Sequence, residues 1–163
     1  MHTPADAATP ADAALYRERL SPSLWTLLSA AVAAPMVALV FAPFIATVSL
    51  LAGLAVAVVL IAVLVLASPV VEVSGGQLRV GRAHIPVELL GEPVGLAGEQ
   101  ARAARGPELS RTAWHLLRGG IDGVVRVSVQ DERDPVSDWV FSTRTPERVV
   151  AAISRAQRSP AVP

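Results

Sequence analysis

LWTLLSAAVAAPMVALVFAPFIATVSLLAGLAVAVVLIAVLVLA, residues 24–67, contains no charged side chain and no histidine. It sits inside a longer neutral run: 52 consecutive residues separate Arg19 from Glu72 without one Asp, Glu, Lys, Arg or His. A hydrocarbon core about 30 Å thick is crossed by about 20 apolar residues in a helix. As one helix the 44-residue stretch would reach about 66 Å at ~1.5 Å per residue, twice too far. Two spans, at 24–41 and 47–67, joined by a tight turn at 42–46, fit the length. Pro43 favours the turn, because the residue before a proline is pushed out of the helical region. Residues 20–68 are therefore expected to form a two-helix transmembrane hairpin. A cleavable signal peptide is the competing reading, since Ala31-Val32-Ala33 resembles a small-residue cleavage site. Few apolar residues precede that site, and the hydrophobic run continues far beyond it, so the hairpin is preferred.

Composition points the same way. Of 163 residues, 52% are hydrophobic and only 17% charged, where a soluble domain carries about a quarter. The cations are 14 arginines with no lysine, balanced by 14 acids, and there is no cysteine. An ordinary cytosolic globular protein, a disordered chain, a polybasic nucleic-acid binder and a disulfide scaffold are all excluded. Thiol catalysis and cysteine-ligated metals go with them.

Orientation is read from the flanking arginines. Arg17 and Arg19 precede the first span, Arg79 and Arg82 follow the second, and the connecting turn is uncharged. Both termini are expected in the cytoplasm, in a plasma-membrane protein with two spans. Trp25, with Tyr16, suits the membrane interface beside Arg17 and Arg19. The spans carry no ionisable residue that would mark a proton or ion path. Their polar side chains, Thr26, Ser29, Thr47 and Ser49, can bond back to their own helix carbonyls. Small residues recur every fourth position, at Ala30/Ala34, Ala38/Ala42 and Ser49/Gly53/Ala57, a spacing that lets helix backbones approach closely. Packing of the two spans on each other is the first reading, a homodimer the second. Pro35 is placed to kink the first helix.

From Pro69 the pattern changes to strand alternation. Val71 and Val73 alternate with Glu72 and Ser74, Gly75-Gly76 makes a turn, and Leu78 and Val80 follow, which predicts a hairpin. Ile85, Val87 and Leu89 continue as a third strand, with Pro86 demanding an edge or a bulge. Residues 99–105 predict a short helix ended by Gly106-Pro107, and 108–118 a helical or irregular segment. Val125, Val127 and Val129 predict another strand. An acidic loop over 131–137 leads from it to a further strand with Trp139, Phe141 and Thr143. The last helix has its start written out: Thr145 as cap, Pro146 at the first position, Glu147 at the positive end of the dipole. Its apolar stripe is Val149, Val150, Ile153 and Ala156. The fold class is thus α+β: the hairpin, then a small antiparallel β-rich cytoplasmic domain over 69–157 with a C-terminal helix, the plan of pleckstrin-homology-like (PH-like) barrels. Residues 1–19, disordered over 1–13, form a juxtamembrane N-terminus, and 158–163 a disordered tail.

No catalytic, cofactor or metal site is expected. His2, His84 and His115 lack ligand-spaced partners. Asp131, Glu132, Asp134 and Asp138 crowd one loop without the glycine-centred spacing of a calcium loop. Gly119, Gly120 and Gly123 precede a strand, whereas a phosphate loop leads into a helix. Arg144, with Thr145, stands beside a helix N-terminus. There it can bind an anion such as a lipid headgroup phosphate, or it can pair with Glu147 or an acidic loop residue and lock the strand–helix junction.

Two stretches, Tyr16-Arg17-Glu18-Arg19-Leu20 with Pro22 and Trp25, and Asp134-Pro135 followed by Trp139-Val140-Phe141-Ser142-Thr143-Arg144-Thr145-Pro146, resemble the actinobacterial membrane proteins grouped as domain of unknown function 3093. The resemblance runs from about Tyr16 to Ala156. Asp138 stands where that pattern carries an aromatic. The resemblance implies a small membrane protein with two spans and a cytoplasmic tail, and no activity. Two functions fit: a non-enzymatic, membrane-anchored binding or scaffolding module that meets anionic lipid headgroups or another membrane protein, and an accessory subunit acting through its hairpin within a larger membrane complex.

Overall fold

The computed structural model describes residues 14–41 and 46–159. They form two compact units, Ser21–Ser68 and the residues on either side of it. The expected turn at 42–46, apart from Ala46, and the disordered ends expected at 1–13 and 160–163 lie outside the described residues.

In the first unit, α1 (Leu24–Phe41) and α2 (Ala46–Leu66) keep the expected bounds within a residue. The two helices pack along each other. On α2 the positions withdrawn from the surface are Ser49, Gly53 and Ala57, the small-residue stripe of the sequence. Among the described residues, every exposed large hydrophobic side chain except Leu15 and Val94 belongs to α1 or α2. Ser29 donates to the carbonyl of Trp25 at 2.8 Å, one turn back along its own helix. Val48–Leu66 is long and apolar enough to cross a membrane, and Leu24–Val40 is apolar over a shorter length.

The second unit holds two four-stranded sheets. Strands β1 (Tyr16–Arg19), β2 (Val70–Ser74), β3 (Gln77–Val80) and β4 (Ala83–Pro86) form an antiparallel sheet in that order. Then come a 3-10 turn at Val87–Leu89, β5 (Val94–Leu96), α3 (Gly98–Arg105), β6 (Trp114–Leu116), β7 (Val124–Ser128), β8 (Asp138–Ser142) and α4 (Pro146–Arg158). The second sheet has the order β5-β7-β8-β6. Inward residues of both sheets and of α4 form one apolar core, with Val71, Val73, Leu78, Val80, Val125, Val127, Phe141, Val149 and Ile153 at its centre. Gln157, near the end of α4, donates to the carbonyls of Val87, Leu90 and Gly91, fastening the helix to the 3-10 turn.

Four expectations need correction. Residues 16–19, read as a juxtamembrane approach, are strand β1: Tyr16 and Glu18 turn inward, Arg17 and Arg19 outward, and the partner, β2, lies more than fifty residues away along the chain. The third strand stops at Pro86, because Val87 directs its N–H to Gly76 O (2.9 Å) and the chain coils into the 3-10 turn; β4 is nevertheless the edge strand that Pro86 required. The segment 108–118 contributes β6. The second sheet is mixed, since β6 runs parallel to β8 on the side away from β7.

The pairing of β1 with β2 also fixes how the helical unit enters the chain. Leu20 N donates to Pro69 O at 2.9 Å. Residues 21–68 are therefore an insertion between two neighbouring antiparallel strands, and its two ends leave from one place.

Candidate functional site

The side chains that β1 turns inward meet the connection between β8 and α4. Thr143, fully buried, carries the chain out of β8 by donating its N–H to Gly123 O at 3.0 Å. That close approach requires Gly123 to have no side chain, because an added Cβ would lie 2.4 Å from the Thr143 carbonyl oxygen. Pro146 then opens α4 at its first position, where a missing N–H costs nothing.

Glu18 comes in from β1 against this turn, with its side chain only 13% exposed. Its Oε2 accepts the Tyr16 hydroxyl at 2.7 Å and the Thr143 hydroxyl. Its Oε1 accepts the Arg144 main-chain N–H at 3.0 Å and faces Arg144 Nη1 at 3.5 Å. Arg144 Nη1 also donates to the carbonyl of Arg19 at 3.2 Å. Since the Tyr16 proton goes to Glu18, the Thr145 hydroxyl donates to the Tyr16 oxygen, at 2.7 Å. Thr145 N donates to Thr143 Oγ1 at 3.2 Å. The carboxylate thus holds a charge-assisted bond to the N–H two residues before α4 begins and an ion pair with the guanidinium of the same residue. Burial pushes the Tyr16 phenol above its ordinary range; the bonds with Thr143 and Thr145 act against the rise, and the bond to Glu18 and its charge add to it.

The residues singled out from sequence are thus distributed unevenly. Arg144 and Thr145 are brought together, and the carboxylate on Arg144 is Glu18, not Glu147 or an acidic loop residue. Thr145 occupies the cap position of α4 without bonding a helix N–H, its hydroxyl being engaged with Tyr16. Arg17 is exposed, its Nε 3.9 Å from Glu72 Oε2. Arg19 enters through its carbonyl. Trp25 lies on α1, 77% exposed. Glu18, Tyr16 and Thr143 were given no role from sequence. Their signal was present as two motifs of complementary chemistry, but more than a hundred residues separate them.

The remaining polar groups have local work. Asp131 Oδ1 accepts the Arg133 N–H (3.0 Å) and Asp134 Oδ1 the Val136 N–H (2.9 Å), bonds that shape the loop itself. Asp138 Oδ2 lies 3.5 Å from Arg126 Nη2 and accepts the Ser137 hydroxyl. Among the described residues, no three acids, histidines or cysteines are grouped so as to hold a metal ion. His84 and His115 are exposed.

Residues 15–153 fit the family model described as protein of unknown function (DUF3093). No curated protein and no solved structure matches the chain. The matched segment begins just before β1 and ends within α4, so it contains both halves of the Glu18–Arg144 junction: the chain belongs to the DUF3093 family.

Proposed function

We propose that this chain is an integral protein of the plasma membrane, in which α1 and α2 cross the bilayer as a hairpin. The hairpin anchors a PH-like β-rich domain at the cytoplasmic leaflet as a binding or scaffolding module, without enzymatic activity. The observation that carries the proposal is the surface of the helical unit. Leu24, Trp25, Met36, Leu39, Leu50, Leu54 and Leu66 are all more than 60% exposed, and no charge accompanies them from residue 20 to residue 71. Lipid is the solvent that suits such a surface, since water would leave an apolar area far beyond that of an ordinary soluble monomer. Strand pairing supports an even number of crossings. With Leu20 bonded to Pro69, a segment that crossed once would have to end about 30 Å away on the other side.

The PH-like assignment draws on two small sheets sharing one core with a final helix, and by itself it names no ligand. The case for binding over catalysis draws on the junction, where each polar group is engaged by another polar group of the chain. The test is fractionation of cells expressing the full chain. After an alkaline wash the protein should stay in the membrane pellet and be released only by detergent. Recovery in the high-speed supernatant without detergent contradicts the proposal.

A further inference from the structure

The strand ends of both sheets gather on one rim around Leu20 and Pro69. The turn from β3 to β4, Gly81-Arg82, lies there, because Val80 pairs with both Val71 and Ala83 and Gly81 N donates to Val70 O. The parallel strands β6 and β8 both end there, at Leu116 and Ser142, and β7 begins there opposite Ser142. Two contacts join the rims of the two sheets: Glu18 with Arg144, and Gly81, where an added Cβ would lie 2.9 Å from Leu116 Cδ1. Arg19, Arg82, Arg118 and Arg144 all sit on this rim. Among the described residues, no carboxylate forms an ion pair with Arg82 or Arg118. The opposite rim carries the loop from β7 to β8 with Asp131, Glu132 and Asp134. Glu18, Asp122 and Glu147 also lie at the rim of the arginines, and Arg133 lies in the acidic loop.

The rim of Arg82 and Arg118 is also the one from which the chain departs for α1 and to which it returns from α2. Residues 21–23 alone separate Leu20 from α1, and Ala67 and Ser68 alone separate α2 from Pro69. Three residues span at most about 10 Å, close to one Debye length at physiological salt. Both connections to α1 and α2 thus leave from the rim that carries these arginines. We infer that this rim, with Arg82 and Arg118 as its principal contacts, is a docking surface for the anionic headgroups of the cytoplasmic leaflet. The inference rests on the proposed insertion of α1 and α2 and adds to it a lipid class and the residues that select it.

The test is hydrogen exchange on the full chain in lipid nanodiscs of phosphatidylcholine alone and of phosphatidylcholine mixed with phosphatidylglycerol. Peptides covering 80–84 and 117–123 should exchange more slowly in the anionic discs, and added salt should remove the difference. Arg82→Gln and Arg118→Gln, neither of them in the Glu18 junction, should each weaken the protection about fivefold, the share of one surface arginine. Equal exchange in the two discs, with the chain incorporated, overturns the docking surface and leaves the two-span proposal standing. Failure to incorporate at all overturns both. Protection produced equally by inorganic phosphate in neutral discs assigns the rim to a free anion and overturns the leaflet as its partner.

Discussion

At Glu18 one carboxylate takes hydrogen bonds from a phenol, a threonine hydroxyl and a main-chain N–H, and faces a guanidinium besides. Removing it leaves the Thr143 hydroxyl and the Arg144 N–H without their acceptor, so Glu18→Ala should lower the unfolding free energy by about 2–3 kcal/mol. Arg144→Ala keeps the main-chain bond and loses a half-exposed ion pair and the hydrogen bond to the Arg19 carbonyl, so its cost should stay below that of Glu18→Ala, at about 1–2 kcal/mol. Denaturant unfolding of the full chain in detergent, followed by the fluorescence of the buried Trp139, compares the two. Equal losses would place the weight of the junction on the guanidinium. Tyr16 offers a second measurement, because it is the single tyrosine of the chain. Its raised folded value means that the native state holds the phenolic proton more tightly than the unfolded state does. The stability this contributes is complete below about pH 10, the ordinary tyrosine value, and is lost as pH rises through the raised value. The near-ultraviolet tyrosinate band should therefore appear above the ordinary range in the folded protein and move down to it on unfolding. A folded midpoint at the ordinary value would contradict the burial assigned to Tyr16.

At the scale of elements, what was legible was what carried its own periodicity. The alternation of Val71 and Val73, and of Val125 and Val127, gave β2 and β7, and the Gly75-Gly76 turn placed β3; both glycines adopt positive φ. Pro146 and the stripe from Val149 to Ala156 gave α4, and the uncharged run gave α1 and α2 with their bounds. β1, β5 and β6 were not legible. They hold four, three and three residues, without the adjoining two-glycine turn that marks β3, and each pairs with a longer strand. For the same reason Glu18 could not be paired with Arg144, since only the β1–β2 register brings them together. The close passage of the loop before β7 under Thr143 carries its own prediction. Gly123→Ala forces a Cβ to 2.4 Å from a carbonyl oxygen and 3.0 Å from the Pro146 ring, at a cost of about 1–3 kcal/mol. Gly119→Ala, four residues earlier with nothing within 4 Å, should stay within about 0.5 kcal/mol of the parent. Thermal melting of the two variants decides it, and a silent Gly123→Ala would refute the packing.

For the molecule as a whole, one pairing organises both units. The neighbouring strands β1 and β2 fold the tail around the apolar core, and the same pairing returns the chain from α2 to the point where it left for α1. Under the proposed function, a module closed by the strand that leads into its own anchor would be tied to the bilayer at two points. That arrangement suits a domain meant to stay at the headgroup layer, as proposed, better than one that reaches for distant partners. The most direct test is the location of the two termini. Compartment-specific reporters fused separately to the amino and carboxyl ends of the full chain should both report the cytoplasm, and protease added outside intact cells should cut neither. A carboxyl-terminal reporter active outside, with the amino-terminal one inside, would mean a single crossing and would contradict the account.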